Sequence, residues 1–187
     1  MARTIIAATL IALTVVCGAC STDSEPASDG TTTAAQATTT RSPWHTSEVV
    51  ADLQRTYTGT IVDTVRQSGG SDELVLAALV ASRAETGWVS PKSINSGEIL
   101  DIYGWRYRYG QFSAESPQAV AAATTTFVEA AAAVPADPDP AGYALAIQHA
   151  HTATFHQQEH AAAPAYQAAV GDARSVFVEL TGEEPPS

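Results

Sequence analysis

The chain has two cysteines among its 187 residues, and both, Cys17 and Cys20, lie in the first twenty positions. Everything after Cys20 lacks a thiol. No disulfide can staple the folded part, so its core must hold unaided. Basic residues are also scarce: 9 Lys and Arg face 20 Asp and Glu, for a net charge of −11. Acidic surface of that size repels phosphate backbones and anionic lipid heads. This excludes nucleic acid as a partner and rules out membrane attachment through a basic patch. No internal repeat is evident. The N-terminal apolar run, Thr4 to Val16, is too short to span a bilayer.

That run has the length of a signal-peptide core, preceded by Arg3 and followed by small residues. Cys17-Gly18-Ala19-Cys20 resembles the lipobox of bacterial lipoproteins, with Cys17 where a branched aliphatic residue is usual. The resemblance implies cleavage after Ala19 and lipid on Cys20. The protein is then anchored to the outer face of the cytoplasmic membrane, with the acyl chain as its membrane contact. An ordinary cleaved secretion signal is the other reading of the same run. Loss of residues 1–19 removes only Arg3 and leaves a net charge of about −12. Residues 20–43 follow as a tether rich in Thr, Ser, Ala and Asp, which bury too little apolar surface to order themselves.

From Trp44 to Gly182 the sequence is that of one all-α domain, closed by a tail at 183–187. Thr46 to Gln67 places Val50, Leu53, Tyr57, Ile61 and Thr64 at helical spacing, and Gly69-Gly70 stops it. Ser71 caps a second helix with Asp72 and Glu73 in its first turn. That helix runs through Leu74 to Ala81 without a polar face, as expected of a helix buried on all sides, and ends near Gly87. Residues 89–113 hold three glycines, Pro91 and nearly all the clustered aromatics, which predicts an irregular segment with a short hairpin. Ser116-Pro117 and Asp139-Pro140 each place a capping residue before proline at the first helical position. The last helix, about 164–180, puts Tyr166, Ala169, Ala173, Phe177 and Leu180 on one stripe before Gly182. A monomer is expected.

Glu85 is the candidate catalytic residue. It lies 4, 7 and 11 positions after Ala81, Ala78 and Leu74, so its carboxylate projects from an apolar stripe. Desolvation and the negative end of the helix dipole both work against its charged form. A protonated carboxyl group is what a glycosidic leaving oxygen needs as a proton donor. Trp88 offers a flat face for a sugar. The plain alternative is a helix-terminal glutamate reaching solvent or pairing with Arg83, Arg106 or Arg108.

Leu76 to Trp88, with its Ala84-Glu85-Thr86-Gly87-Trp88 ending, resembles the catalytic helix of the lysozyme-like superfamily. That group includes lytic transglycosylases, bacterial glucosaminidases and small exported actinobacterial wall hydrolases. The resemblance implies a compact lysozyme-like helical domain, Glu85 as general acid, peptidoglycan glycan strands as substrate, and no cofactor. Ile102-Tyr103-Gly104-Trp105 is similar to the short glycine-containing turn that lines the cleft in those families. Ala144 to Gln148 and Ala165-Tyr166-Gln167 are similar to their late helix and the tyrosine after it. The chain departs from the pattern in Tyr103-Gly104-Trp105-Arg106-Tyr107, which replaces a glutamine-rich turn, and in the His-rich stretch from His149 to His160.

Tyr103, Trp105, Arg106 and Tyr107, with Trp88, are the candidate substrate contacts: rings stack on pyranose faces and arginines pair with peptide-stem carboxylates. The alternation Tyr103, Trp105, Tyr107, Tyr109 equally fits a strand that plugs the core and turns Arg106 and Arg108 outward. The expected outcome is a mixture of the two. Glu98 and Asp101 are weaker candidates for a second carboxylate. His156-Gln157-Gln158-Glu159-His160 matches a zinc-protease pattern, but a further ligand is needed well downstream and few residues remain. The expectation is an exposed polar loop and no metal site.

Overall fold

A computed structural model describes residues 42–93, 97–151 and 161–186. Residues Thr40–Ser187 form one compact unit. The signal region, Cys20, the tether up to residue 41 and the pattern from His156 to His160 lie outside the described residues.

Among the described residues five helices carry the unit: α1 (Glu48–Gln67), α2 (Asp72–Thr86), α3 (Pro117–Ala131), α4 (Pro140–Ala150) and α5 (Ala163–Thr181). The two strands, β1 (Lys92–Ser93) and β2 (Ile99–Leu100), pair antiparallel with Lys92 opposite Leu100. The fold is all-α. Three of these helices, α2, α3 and α4, start where their caps predict. The Ser71 hydroxyl accepts from the Leu74 N–H, the Ser116 hydroxyl from the Ala119 N–H, and the Asp139 carboxylate from the N–H groups of Ala141 and Gly142. Gly87 and Gly182 end α2 and α5 in the left-handed conformation.

The core is built around α2, which packs against all four other helices. Every residue from Leu74 to Ser82 is buried, and so is Glu85. With neighbours on all sides, such a helix has no use for a polar face; its one hydroxyl in that run, on Ser82, bonds back to the Ala78 carbonyl.

The buried face of α1 differs from the one its hydropathy suggests. Leu53 is exposed, whereas Gln54 and Thr58 are buried beside Tyr57, Ile61 and Val65. The physical reason is local satisfaction of polar groups. The Gln54 amide accepts from the His45 N–H and donates to the Gly87 carbonyl, and the Thr58 hydroxyl bonds the Gln54 carbonyl. On α5, likewise, Val176 takes a core position and Leu180 is exposed.

All six tyrosines titrate above the usual phenol range, with burial as the leading cause in each; for Tyr109 the value is pushed up to about 12. The folded chain therefore keeps phenolic protons that the unfolded chain releases near pH 10. Stability supported in this way is intact below about pH 10 and is lost as pH rises toward 12 and beyond. The melting temperature is expected to fall progressively above pH 10, in step with tyrosinate absorbance appearing on unfolding. A melting temperature unchanged between pH 9 and 11.5 is incompatible with this coupling.

Candidate functional site around Glu85

Glu85 closes the last turn of α2, and its residue surface is only 4 % exposed. The carboxylate accepts the Tyr166 hydroxyl at 2.5 Å, from the first turns of α5. The Ala161 N–H, just before α5, lies 3.1 and 3.2 Å from its two oxygens. On another side the backbone of Gly104 approaches so closely that a Cβ there would fall 2.8 Å from Oε2. The carbonyl of Glu85 accepts from Lys92 Nζ at 2.9 Å. Segments some 20 to 80 positions away in sequence thus meet at one carboxyl group. Both of its oxygens are engaged as acceptors, which fixes its orientation.

The Gly104 approach depends on the turn from Asp101 to Trp105. The Asp101 side chain accepts from the N–H groups of Tyr103 and Trp105, and its backbone N–H donates to the Trp105 carbonyl. Gly104 takes the left-handed conformation that completes this turn. Asp101 is therefore a buried turn-former rather than a second acid presented to a substrate. Glu98 lies 3.4 Å from Arg106 in a pair that is partly solvent-exposed.

Gln148, at the end of α4, ties the turn to the helices. It donates to the Tyr103 carbonyl at 3.0 Å and accepts from the Trp105 indole N–H. Tyr166 titrates far above the normal phenol range, first because it is buried and second because the Glu85 carboxylate stands beside it. Its hydroxyl therefore acts as a hydrogen-bond donor and not as a base.

The expected sugar platforms are placed differently from one another. Trp88 and Tyr103 are wholly buried, which corrects the expectation that they offer faces to a ligand. Gly87 and Trp88 both have positive φ, 68° and 62°, and this reversal turns the indole back under α2. There its N–H donates to the Leu79 carbonyl at 2.9 Å, Trp44 packs on the ring, and the Arg83 guanidinium lies over it. Left-handed backbone costs a non-glycine residue roughly 1–2 kcal/mol, which burial of a whole indole outweighs. Tyr103 stacks on Phe127 at 4.6 Å and its hydroxyl pairs with Thr124. Trp105 is nearly buried, with one face stacked on His151 at 3.8 Å. Tyr107 is half-buried and donates to the carbonyls of Tyr109 and Phe112. Arg106 and Arg108 point outward. The alternation in this segment is thus largely a core-plugging one, although it runs through a turn and not a long strand.

Tyr166 was readable from sequence as part of a buried stripe but not as a partner of Glu85. The available signal was its phenol among alanines, since a buried hydroxyl needs a partner. Gln148, at the end of an apolar helix, carries the same kind of signal. Among the described residues, no group of three or more His, Cys, Asp or Glu side chains is arranged to hold a metal ion. Nor is any described helix long and apolar enough to cross a membrane. No family model matches the chain, and no curated protein or solved structure does either.

Proposed function

We propose that this is an exported lipoprotein whose helical domain cleaves the glycan strands of peptidoglycan in the manner of lysozyme-like enzymes, with Glu85 as general acid and no cofactor. The observation that carries the reading is the meeting of Gly104 and Tyr166 at the Glu85 carboxylate. With Glu85, those residues belong to three of the four segments that resemble the superfamily, and they are far apart in sequence. In this reading the Glu85 carboxyl proton passes to the glycosidic oxygen as the C1–O bond breaks. Tyr166 and the Ala161 N–H act as positioning groups that hold the carboxyl in place. The cation left at C1 is captured by water, giving a reducing end, or by a hydroxyl of the same sugar, giving an anhydro product, and in either case the attacking oxygen returns its proton to the Glu85 carboxylate.

One observation favours a second reading. At 4 % exposure, Glu85 is closed off by Tyr166, Ala161 and Gly104, as befits a buried structural carboxylate in a domain that binds glycan or a protein partner without cleaving it. Incubation of the full chain with purified peptidoglycan, followed by product analysis, separates the two. Soluble muropeptides with new reducing or anhydro ends are the expected result. Retention on the polymer with no release favours the binding module.

The lipid anchor is tested separately. Cys20→Ala is expected to release the protein from the membrane fraction or to leave it unprocessed. Normal processing and undiminished membrane retention of that variant would refute lipid attachment at Cys20.

A further inference from the structure

Gln148 lies buried in the last turn of α4, a helix whose other core residues include Ala141, Ala144 and Ile147. We propose that it is a positioning residue for the Glu85 carboxyl: it fastens the residues on either side of Gly104 and so sets the glycine that presses on that group. The inference rests on the reading of Glu85 as general acid, and it adds a residue that never touches the substrate.

The contacts are few and directional. The Gln148 amide nitrogen donates to the Tyr103 carbonyl at 3.0 Å, and its oxygen accepts from the Trp105 indole N–H. Tyr103 and Trp105 flank Gly104, where a Cβ would stand 2.8 Å from Glu85 Oε2. An indole N–H can only donate and a carbonyl can only accept, so the amide satisfies both in one orientation and neither when flipped. The Tyr166 phenol, which donates to Glu85 at 2.5 Å, also feels the Gln148 amide as a group that favours its ionised form, against the burial that raises it. A donor has that effect, and the NH₂ is the half of the amide not taken by Trp105.

The turn does not need Gln148 for its shape. Asp101 closes it, accepting from the N–H groups of Tyr103 and Trp105 through its side chain and from that of Gly104 through its carbonyl. What Gln148 adds is placement. Its helix packs against both α2 and α5, which carry Glu85 and Tyr166, so its amide extends the frame of those helices to the turn. The Tyr103 ring also stacks on Phe127 at 4.6 Å, but a stack tolerates small slides that a hydrogen bond does not. A buried amide is costly unless its ends are met, and here the residues that flank the glycine meet them.

Placement at this scale has a large kinetic effect. A reacting group displaced by about 1 Å can lose roughly 10²-fold in rate. Loss of Gln148 takes from the Trp105 indole and the Tyr103 carbonyl the partner that faces them. A turn freed in this way no longer presses Gly104 against one place on the Glu85 carboxyl. Turnover then falls although no substrate contact has been removed.

The test compares the full wild-type chain in detergent with Gln148→Met, Trp105→Phe and Ile147→Val. Methionine keeps the size of the side chain and removes both hydrogen bonds, and phenylalanine keeps a ring and removes one. The valine trims the core face of the same helix and is the control for lost stability. The readouts are kcat and KM on solubilised peptidoglycan strands, and the ¹³C carboxyl resonance of Glu85, assigned by its absence in Glu85→Gln. Gln148→Met is expected to lose kcat roughly tenfold to a hundredfold, with KM nearly unchanged, and to move or split the Glu85 resonance. Trp105→Phe should lower kcat and move the resonance by less, and Ile147→Val should do neither. An unmoved Glu85 resonance in Gln148→Met overturns the positioning role, as does a loss of kcat no larger than that of Ile147→Val. Where Gln148→Met does not fold, an unmoved resonance in Trp105→Phe overturns it equally. Wild-type protein without turnover overturns the glycan reading instead, and the resonance then decides the positioning role by itself.

Discussion

Glu85→Gln is expected to reduce release of soluble muropeptides by about 10²–10⁴-fold, the usual worth of general acid–base catalysis. Glutamine keeps the shape and volume of the side chain and one carbonyl acceptor for the Tyr166 hydroxyl, 2.5 Å away in the native chain. What it loses is the transferable proton. Its amide NH₂ also replaces an acceptor near the Ala161 N–H, which lies within 3.2 Å of both native oxygens. Two donors then face each other, and the expected cost in stability is about 1 kcal/mol. A fall in melting temperature of a few degrees should therefore accompany the much larger loss of turnover. The two effects are separable because Tyr166→Phe removes a donor to the carboxylate without removing the acid. That variant is expected to lose a similar amount of stability while keeping a measurable share of activity. The enzymatic reading fails if wild-type protein releases nothing from any peptidoglycan and Glu85→Gln does no more than melt earlier.

Helix positions were legible because their signals are local. Ser71, Ser116 and Asp139 each cap the helix that follows, and an unbroken apolar run could only be an internal helix, as α2 is. The wrong face on α1 has a different origin. Hydropathy scores Gln54 and Thr58 as polar, but their hydrogen bonds go to backbone groups that the fold brings near, and Gly87, the acceptor of Gln54, is 33 residues away. Trp88 misled for the same reason. The local pattern places it after the helix, while a positive φ at a non-glycine residue, which no pattern announces, sends it back under α2. At the site, the place of Glu85 on an apolar stripe followed from helical spacing alone. Its attachment to Tyr166, 81 positions on, is a property of how α5 docks against α2; a phenol among alanines announces that a partner is needed but not which one.

The closest backbone approach at the site gives the sharpest structural expectation. Gly104→Ala is expected to destabilise the chain by roughly 2–5 kcal/mol and to abolish activity together with the native orientation of Glu85. Two costs add. At φ 73°, Gly104 is in the left-handed region, where a Cβ costs roughly 1–2 kcal/mol. The new methyl would also fall 2.8 Å from Glu85 Oε2 and 3.3 Å from Glu85 Cβ, and overpacking of this kind typically costs about 1–3 kcal/mol. Neither partner can yield cheaply. The carboxylate is held by Tyr166 and Ala161, and the turn by the Asp101 side chain and the Trp105 carbonyl. Gly110→Ala serves as the control: a Cβ there meets nothing within 4 Å, and its backbone is not left-handed. That change should stay within about 0.5 kcal/mol of the native chain. Denaturant melts of both variants decide the matter, because a Gly104→Ala chain as stable and as active as Gly110→Ala cannot have this turn seated against Glu85.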